Sequence, residues 1–419
     1  MSLQGPIVLV AEKPAGGLVQ AFTSAGAFPI IETRWNDAPA AVGSIKPSAV
    51  VLAEPDAADP IAVLALAQAI DSANPLVPVI ARVRDGAAPA LPDALPISAD
   101  APVERLIARL SSALRLRTLH ATVLGRARSL KSERNIVAEM PDGDPLDDAT
   151  VLVVGRGRQH PTLSVAVGER VGMMGALSID FAARCLNARE IDGIVVGDGL
   201  PARQVDAFLT VLAEDSRFRD LPVAVLNAGG DADGLPNFLR GSNPHELIER
   251  MLPLVRLRAF EAGLKRLLKS IECKGMLDAR TGLLHQDAFG RDLSRAIDDA
   301  GERGVGLSVA RFSFEEEIDR RTSMDAARLM SRLMRNVDFG CRQDDGSILT
   351  VFTETDLRHA HVVARRLASV LKHTMLRPDR ERPALAPNVT LATLKPKDTL
   401  LTLMGRVAPR PVAAGEMRA

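Results

Sequence analysis

Tyrosine is absent from this 419-residue chain, tryptophan occurs once and phenylalanine twelve times. So thin an aromatic supply argues against a stacking platform for single-stranded nucleic acid, which needs successive π faces. Charge of one sign is lacking too: 52 Lys and Arg are matched by 52 Asp and Glu. A net charge of zero gives no case for the electropositive face that phosphate backbones require, so no nucleic-acid partner is expected. The three cysteines, Cys185, Cys273 and Cys341, are far apart, with no CxxC or His/Cys spacing. That pattern implies neither a disulfide framework nor a zinc site, and it fits a reducing cytosol. Apolar runs are short and interrupted by charges, none approaching the ~20 residues of a membrane span. The opening MSLQGPIVLVAEKP has no basic n-region and no long apolar stretch, so no secretory leader is expected and the location predicted is cytoplasmic.

What is present falls into three blocks. The first holds the apolar runs Ile7-Val8-Leu9-Val10, Ala49-Val50-Val51-Leu52 and Val77-Pro78-Val79-Ile80. Short β-branched runs bounded by Pro, Gly and Asp predict buried parallel strands. Ala-rich amphipathic stretches lie between them, and Leu106, Ile107, Leu110 and Leu114 recur at helical spacing in the last. Strand–helix alternation predicts an open α/β sheet with crossover helices. The second block repeats the plan with Val151-Leu152-Val153-Val154, Ile194-Val195-Val196 and Val223-Ala224-Val225-Leu226, closed by a helix from Pro244 to Val255. Between the two, Pro141, Asp142, Gly143, Asp144 and Pro145 predict a turn-rich connection. Leu257, Phe260, Leu264, Leu267 and Ile271 then mark one face of a helical segment before the third block. It can be a stalk or dimer helix, or simply a helix packed on its neighbour.

Three pieces of the third block are distinctive: Asp278-Ala279-Arg280-Thr281-Gly282-Leu283 with Phe289, the strand Leu307 to Phe314, and Arg335-Asn336-Val337-Asp338-Phe339-Gly340-Cys341-Arg342. They resemble the opening DxLTGLxNRxxF, the metal-binding strand and the RxxD stretch of GGDEF domains. Blocks one and two resemble response-regulator receiver domains. The chain is thus similar to the PleD/PopA-type receiver–receiver–GGDEF proteins. The resemblance implies an α/β multidomain fold: two tandem flavodoxin-like receiver domains at 1–120 and 149–258, and a nucleotidyl-cyclase-like, ferredoxin-like α+β GGDEF domain at 278–410. A linker at 121–148, a linker helix at 259–277 and a tail at 411–419 complete it.

Aligned on RxxD, the cyclase signature falls on Asp344-Asp345-Gly346-Ser347-Ile348. Aspartates replace the glycine pair that lets a nucleotide approach the backbone, and Gly346-Ser347 replaces the catalytic acids. The family's metal aspartate falls on Arg311 or Ala310, neither of which offers magnesium a hard oxygen donor. Its phosphate-side lysine falls near Glu316 and its guanine-reading Asn on Asp319. The resemblance therefore implies a degenerate GGDEF domain that has lost cyclase activity and is not an enzyme. The family's second, inhibitory site is kept: Arg335 and Asp338 would bind cyclic di-GMP, with Arg366, neighbouring Arg365 and Arg295 as further arginines. The chemistry suits guanine, since an arginine forks onto O6/N7. An aspartate accepts from N1–H and N2. The alternative left open is an i,i+3 ion pair between Arg335 and Asp338 at a helix end.

Phosphorylation by receivers needs an acceptor aspartate, a metal-holding acidic pair, a Thr or Ser and a Lys. In block one these positions fall on Ala53 (with Glu54 and Asp56 just beyond), on Ala11 and Glu12, near Val83 and near Ser98. In block two they fall on Gly197, with Asp198 one residue on as the remaining candidate phosphoacceptor, on Gly155 and Arg156, and on Asn227; no Lys is evident near Arg240-Gly241. The resemblance implies docking in place of phosphotransfer. What is expected is a homodimeric signalling effector with no cofactor, recruiting partners such as protease adaptors for cell-cycle proteolysis, with a cell-pole location. A ligand-independent scaffold and an unusual diguanylate cyclase are the rival readings.

Overall fold

The computed structural model describes residues 4–54, 59–84, 87, 89–141, 143–227, 232, 234–314, 318–374 and 386–408. They divide into two units, one ending at Leu268 and one beginning at Lys269.

The first unit holds two sheets. One contains β1 (Gln4–Val10), β2 (Phe28–Thr33), β3 (Ala49–Leu52), β4 (Val79–Val83) and β5 (Leu95–Ser98), with helices α1 (Gly16–Ser24), α2 (Ala38–Ile45), α3 (Pro60–Asp71) and α4 (Val103–Arg134). Its strands are parallel in the order β2-β1-β3-β4-β5. The reason is local: Ile7 to Val10 and Ala49 to Leu52 are buried on both faces, as strands covered by helices on either side must be. Helix α3 starts where Asp59 accepts from the Ile61 amide and Pro60 supplies a preset φ.

The second sheet contains β6 (Thr150–Val154), β7 (Gly172–Ala176), β8 (Gly193–Val196), β9 (Val223–Leu226) and β10 (Phe238–Gly241), with α5 (His160–Gly168), α6 (Ile179–Ala188), α7 (Ala202–Glu214) and α8 (Pro244–Glu272). It is also parallel, in the order β10-β9-β8-β6-β7. Counted within each lobe, both orders are 2-1-3-4-5, the flavodoxin-like doubly wound order.

The lobes share one apolar core. Leu106, Leu110 and Ala113 of α4 belong to the same cluster as Leu247, Met251 and Leu254 of α8. Arg109 is buried at this junction, donating from its guanidinium to the carbonyls of Pro96, Pro236 and Phe238, the first from lobe one and the others from lobe two. Burial first, then nearby Arg105 and Arg250, pushes it down to about 9, so it remains a cation at neutral pH.

Two connections differ from the expected outline. Where a linker over 121–148 is expected, α4 runs on to Arg134, with Val123 and Leu130 buried, and a 3-10 turn spans Pro145–Asp148. The separate closing and linker helices are one helix, α8, with Pro253 inside it. No helix among the described residues is long and apolar enough to cross a membrane.

The second unit contains α9 (Gln286–Arg303), β11 (Ser308–Ser313), α10 (Arg320–Leu333), β12 (Phe339–Arg342), β13 (Ile348–Phe352), α11 (Leu357–Thr374), β14 (Asn388–Thr393) and α12 (Leu400–Val407). Its sheet is antiparallel in the order β12-β13-β11-β14. From β11 to β14 the chain runs βαββαβ, the split ferredoxin-like pattern. Alternation along the strands sorts the core into two layers. Ala310, Phe312, Ile348 and Phe352 pack with α10 and α11, while Val309, Leu349 and Val351 pack with α9 and α12.

Candidate functional site

Arg335 and Asp338 lie in the turn between α10 and β12, closed by a hydrogen bond from the Asp338 amide to the Arg335 carbonyl, 3.0 Å. Arg335 is exposed and makes no ion pair among the described residues. The i,i+3 ion pair left open by the sequence is therefore not formed. Asp338 turns inward instead: its Oδ1 accepts from the Thr353 amide at 3.1 Å and from the Thr353 hydroxyl at 3.4 Å. Burial pushes its carboxyl up, opposed by the Thr353 amide and by the field of Arg335.

The other arginines divide between the two layers. Arg365 and Arg366 are exposed on α11, which packs in the same layer as α10. Arg295 lies on α9, in the opposite layer, and faces Asp292 at 3.6 Å. Within one unit, then, Arg335 and Asp338 lie in the turn that follows α10, Arg365 and Arg366 on α11, which packs in the same layer as α10, and Arg295 on α9 in the other layer.

The signature positions form a tight hairpin turn. Gln343 and Ser347 bond across it, and Gly346 takes φ +78°, a conformation that suits glycine. Asp345 Oδ1 accepts from the Ser347 amide at 3.0 Å and its hydroxyl at 2.6 Å, and its carboxylate is ion-paired to Arg311 on β11. Burial works to raise the Asp345 carboxyl. The Ser347 donors and the guanidinium outweigh it, and the group is held below its usual range. Asp344 accepts from the Gln286 side chain at 3.1 Å. Both aspartates thus have protein partners, and at Arg311 the chain carries its own cation.

Other motif positions hold structural duties. Asp278 accepts from the Arg280 amide and the Thr281 hydroxyl, and Gly282, at φ +75°, closes the loop. That loop is fastened to α10, because Arg328 donates to the Arg280 carbonyl and Ser331 to the Gly282 carbonyl. Asp319 caps α10 through the Thr322 amide at 3.0 Å. Asp56, Glu316 and the tail 411–419 lie outside the described residues.

In the second lobe Asp198 follows β8 at the carboxyl edge of the sheet. Its carboxylate accepts from the Gln159 amide at 3.2 Å, at the start of α5, and its carbonyl accepts from the Arg156 and Gly157 amides. A carboxylate at a helix start meets unpaired N–H groups and the positive end of the dipole. The group that the sequence leaves as a phosphoacceptor is thus engaged by backbone donors. Asn227, at φ +55°, donates to the Gln159 side chain at 3.1 Å.

Two features were not read from the sequence. Thr353 offers only its place just past a strand as a clue. A cleft of about 650 Å³ between α6 and α7, lined by Leu177, Ile179, Leu186, Phe208 and Val211, has no motif at all.

No family model matches the chain, and no curated protein matches it. Among solved structures it is similar to the coiled coil and GGDEF domain of DgcB from Caulobacter crescentus in complex with c-di-GMP, at 17% identity over 34% of this chain and 82% of that one, TM-score 0.30. It is similar to the GGDEF domain of FimX from Pseudomonas aeruginosa, at 17% identity over 32% and 88%, TM-score 0.28. A third is the diguanylate cyclase SiaD from Pseudomonas aeruginosa with its activator SiaC, at 16% identity over 34% and 60%, TM-score 0.28.

Proposed function

We propose that this chain is a cyclic di-GMP-binding signalling effector with a degenerate GGDEF domain preceded by two degenerate receiver domains. The observation that carries the reading is the state of Arg335. Its guanidinium is exposed and makes no ion pair among the described residues, beside the Asp338 carboxylate, whose Oδ1 accepts from the Thr353 amide. Arginine and aspartate so disposed match the two edges of a guanine. Arg366 and Arg365, exposed on α11, would supply further cations for a phosphodiester. Loss of cyclase activity is supported by Arg311 and Asp345, which neutralise each other where the resemblance expects a metal carboxylate and a glycine. Loss of phosphotransfer is supported by Asp198, whose carboxylate is spent on α5. Homodimer formation, recruitment of protease adaptors and a cell-pole location rest on the resemblance to PleD/PopA-type proteins.

One observation favours a ligand-independent scaffold as the second reading: Asp338 is only 9% exposed and already has a protein partner. Calorimetry of the full chain with cyclic di-GMP separates the two. The effector reading expects saturable heat from the wild type and none from Arg335→Gly. Equal heats, or none from either, would leave the scaffold. GTP incubated with the chain and Mg²⁺ or Mn²⁺ is expected to remain uncyclised.

A further inference from the structure

We infer that Thr353 is a positioning residue for guanine recognition, holding the Asp338 carboxylate so that one oxygen faces the ligand; this rests on the cyclic di-GMP reading above. Thr353 is the first residue beyond β13, so its amide lies outside the named strand. That N–H is spent on Asp338 Oδ1 at 3.1 Å. The chain turns sharply at the next residue, Glu354, at φ +49°. The Thr353 hydroxyl has a single proton and two acceptors in reach, the Val337 carbonyl at 3.2 Å and Asp338 Oδ1 at 3.4 Å. It therefore braces the turn and the carboxylate together, with the amide as the main anchor.

The consequence is chemical. A carboxylate gripped at one oxygen loses rotation about its last torsion, and the cost of ordering it is met before the ligand arrives. Oδ2 is left as the acceptor for the N1–H and N2 donors of a guanine. The Thr353 amide and hydroxyl favour the charged form, which is the stronger acceptor. Burial works against them, and the group sits above its usual range on balance. The charged group that acts on it is Arg335, on its own turn; the next residue after Thr353 in the chain, Glu354, is ion-paired to Arg303 at 2.6 Å.

The test is calorimetric titration of the full chain with cyclic di-GMP between about pH 4 and pH 8, spanning the carboxylate range and neutrality. Wild type, Thr353→Ser, Thr353→Val, Thr353→Pro and Arg335→Gly are compared. Thr353→Pro removes the amide donor and is expected to weaken binding about tenfold, the scale of one charge-assisted hydrogen bond. Thr353→Val keeps the amide and loses the hydroxyl. It is expected to bind less weakly than the proline variant, with the pH at which affinity fades moved upward. Thr353→Ser should track the wild type. If the wild type binds and Arg335→Gly does not, yet the proline and valine variants match the wild type in affinity and pH profile, the role of Thr353 is overturned and the cyclic di-GMP reading stands. Should the proline variant fail to fold, the valine pH profile decides, and superposition on wild type overturns the role. Absence of heat from the wild type overturns both.

Discussion

The guanidinium of Arg311, midway along β11, is ion-paired to Asp345 in the turn between β12 and β13. The Arg311 side chain is nearly buried, at 10% exposure, whereas Asp345 is about half exposed, at 48%. Removing the acid strands a buried cation; removing the cation leaves a carboxylate that water can reach. The two deletions should therefore differ. Asp345→Ala is expected to cost about 1–2 kcal/mol, between the values for exposed and for buried pairs because solvent screens the exposed partner. Arg311→Leu, which fills the space without a charge, should cost less. Urea unfolding of the full chain at neutral pH measures both.

That pair has a pH signature with a definite sign. The Asp345 carboxyl is held below its unfolded value, so the folded state binds fewer protons than the unfolded one in that interval. Its stabilisation is complete above the ordinary carboxylate range and is lost as pH falls through the depressed value. Asp345→Asn should lower stability near neutrality, where the charged pair contributes in full, and converge with wild type at low pH, so that its acid limb is flatter. An acid limb identical to wild type would separate Asp345 from the Arg311 interaction.

Arg109 provides a test of how the two lobes are joined. It bonds to carbonyls of Pro96 in one lobe and of Pro236 and Phe238 in the other. Arg109→Met keeps much of the volume but leaves three carbonyls without that donor in a buried junction. The expected cost is about 3 kcal/mol or more, the scale set by unsatisfied buried polar groups. The single tryptophan, Trp35, is 1% exposed in the first lobe and reports the transition. A midpoint unchanged from wild type would mean the junction does not depend on Arg109.

Legibility of this fold followed side-chain chemistry. Strands β1, β3, β6, β8 and β9 announce themselves because a doubly covered strand must be apolar on both faces, and Val and Ile fill them. Strand β7 is Gly172-Met173-Met174-Gly175-Ala176, with no β-branched residue, and it is held by pairing with β6 alone. Strand β5 contains Pro96 and β10 is only Phe238 to Gly241. Such edge strands exist because a neighbour exists, and a local window does not contain that neighbour. The same holds at the sites. Arg335 and Asp338 could be located by spacing, but spacing also left open an ion pair between them, where the fold sends Asp338 to Thr353, fifteen residues on. Arg109, between Ala108 and Leu110, has the local look of any helix arginine until lobe two closes over it.

Gly157 and Asp198 show how little room the carboxyl edge of the second sheet allows. A Cβ on Gly157 would lie 2.2 Å from the Asp198 carboxyl carbon. Gly157→Ala must therefore displace that carboxylate from the start of α5. The expected penalty is about 1–3 kcal/mol, combining overpacking with a lost cap. Asp198→Ala should cost about 1 kcal/mol, for the cap alone. Because the two changes act on one contact, the double variant should fall short of their sum. Strict additivity in thermal or urea unfolding would show that they act separately.

Asp192 gives the first unit a pH dependence opposite to that of Asp345. It is 5% exposed, and its Oδ2 accepts from the Thr150 amide at 2.8 Å, tying the starts of β6 and β8 together. Burial raises its carboxyl from 3.8 to about 6; the Thr150 amide, Arg258 and Arg266 oppose the rise and Glu190 adds to it. Arg266 is itself ion-paired to Glu190 at 2.5 Å, and Arg258 to Glu261 at 2.5 Å, so neither cation is reserved for Asp192. Between the unfolded and folded values the native state holds the extra proton, so stability falls as pH rises through that interval and levels off above it. Asp192→Asn keeps an oxygen for the Thr150 amide and removes the ionisation. At pH 7 the variant is expected to be more stable than wild type by up to about 3 kcal/mol, the equivalent of a shift of roughly two pH units. At pH 4, where the wild-type group is protonated, the advantage should vanish. Urea midpoints read from Trp35 fluorescence at the two pH values decide it. An advantage that is the same at both would place the source in packing, and a loss at both would show that the charged carboxylate is needed for the Thr150 bond.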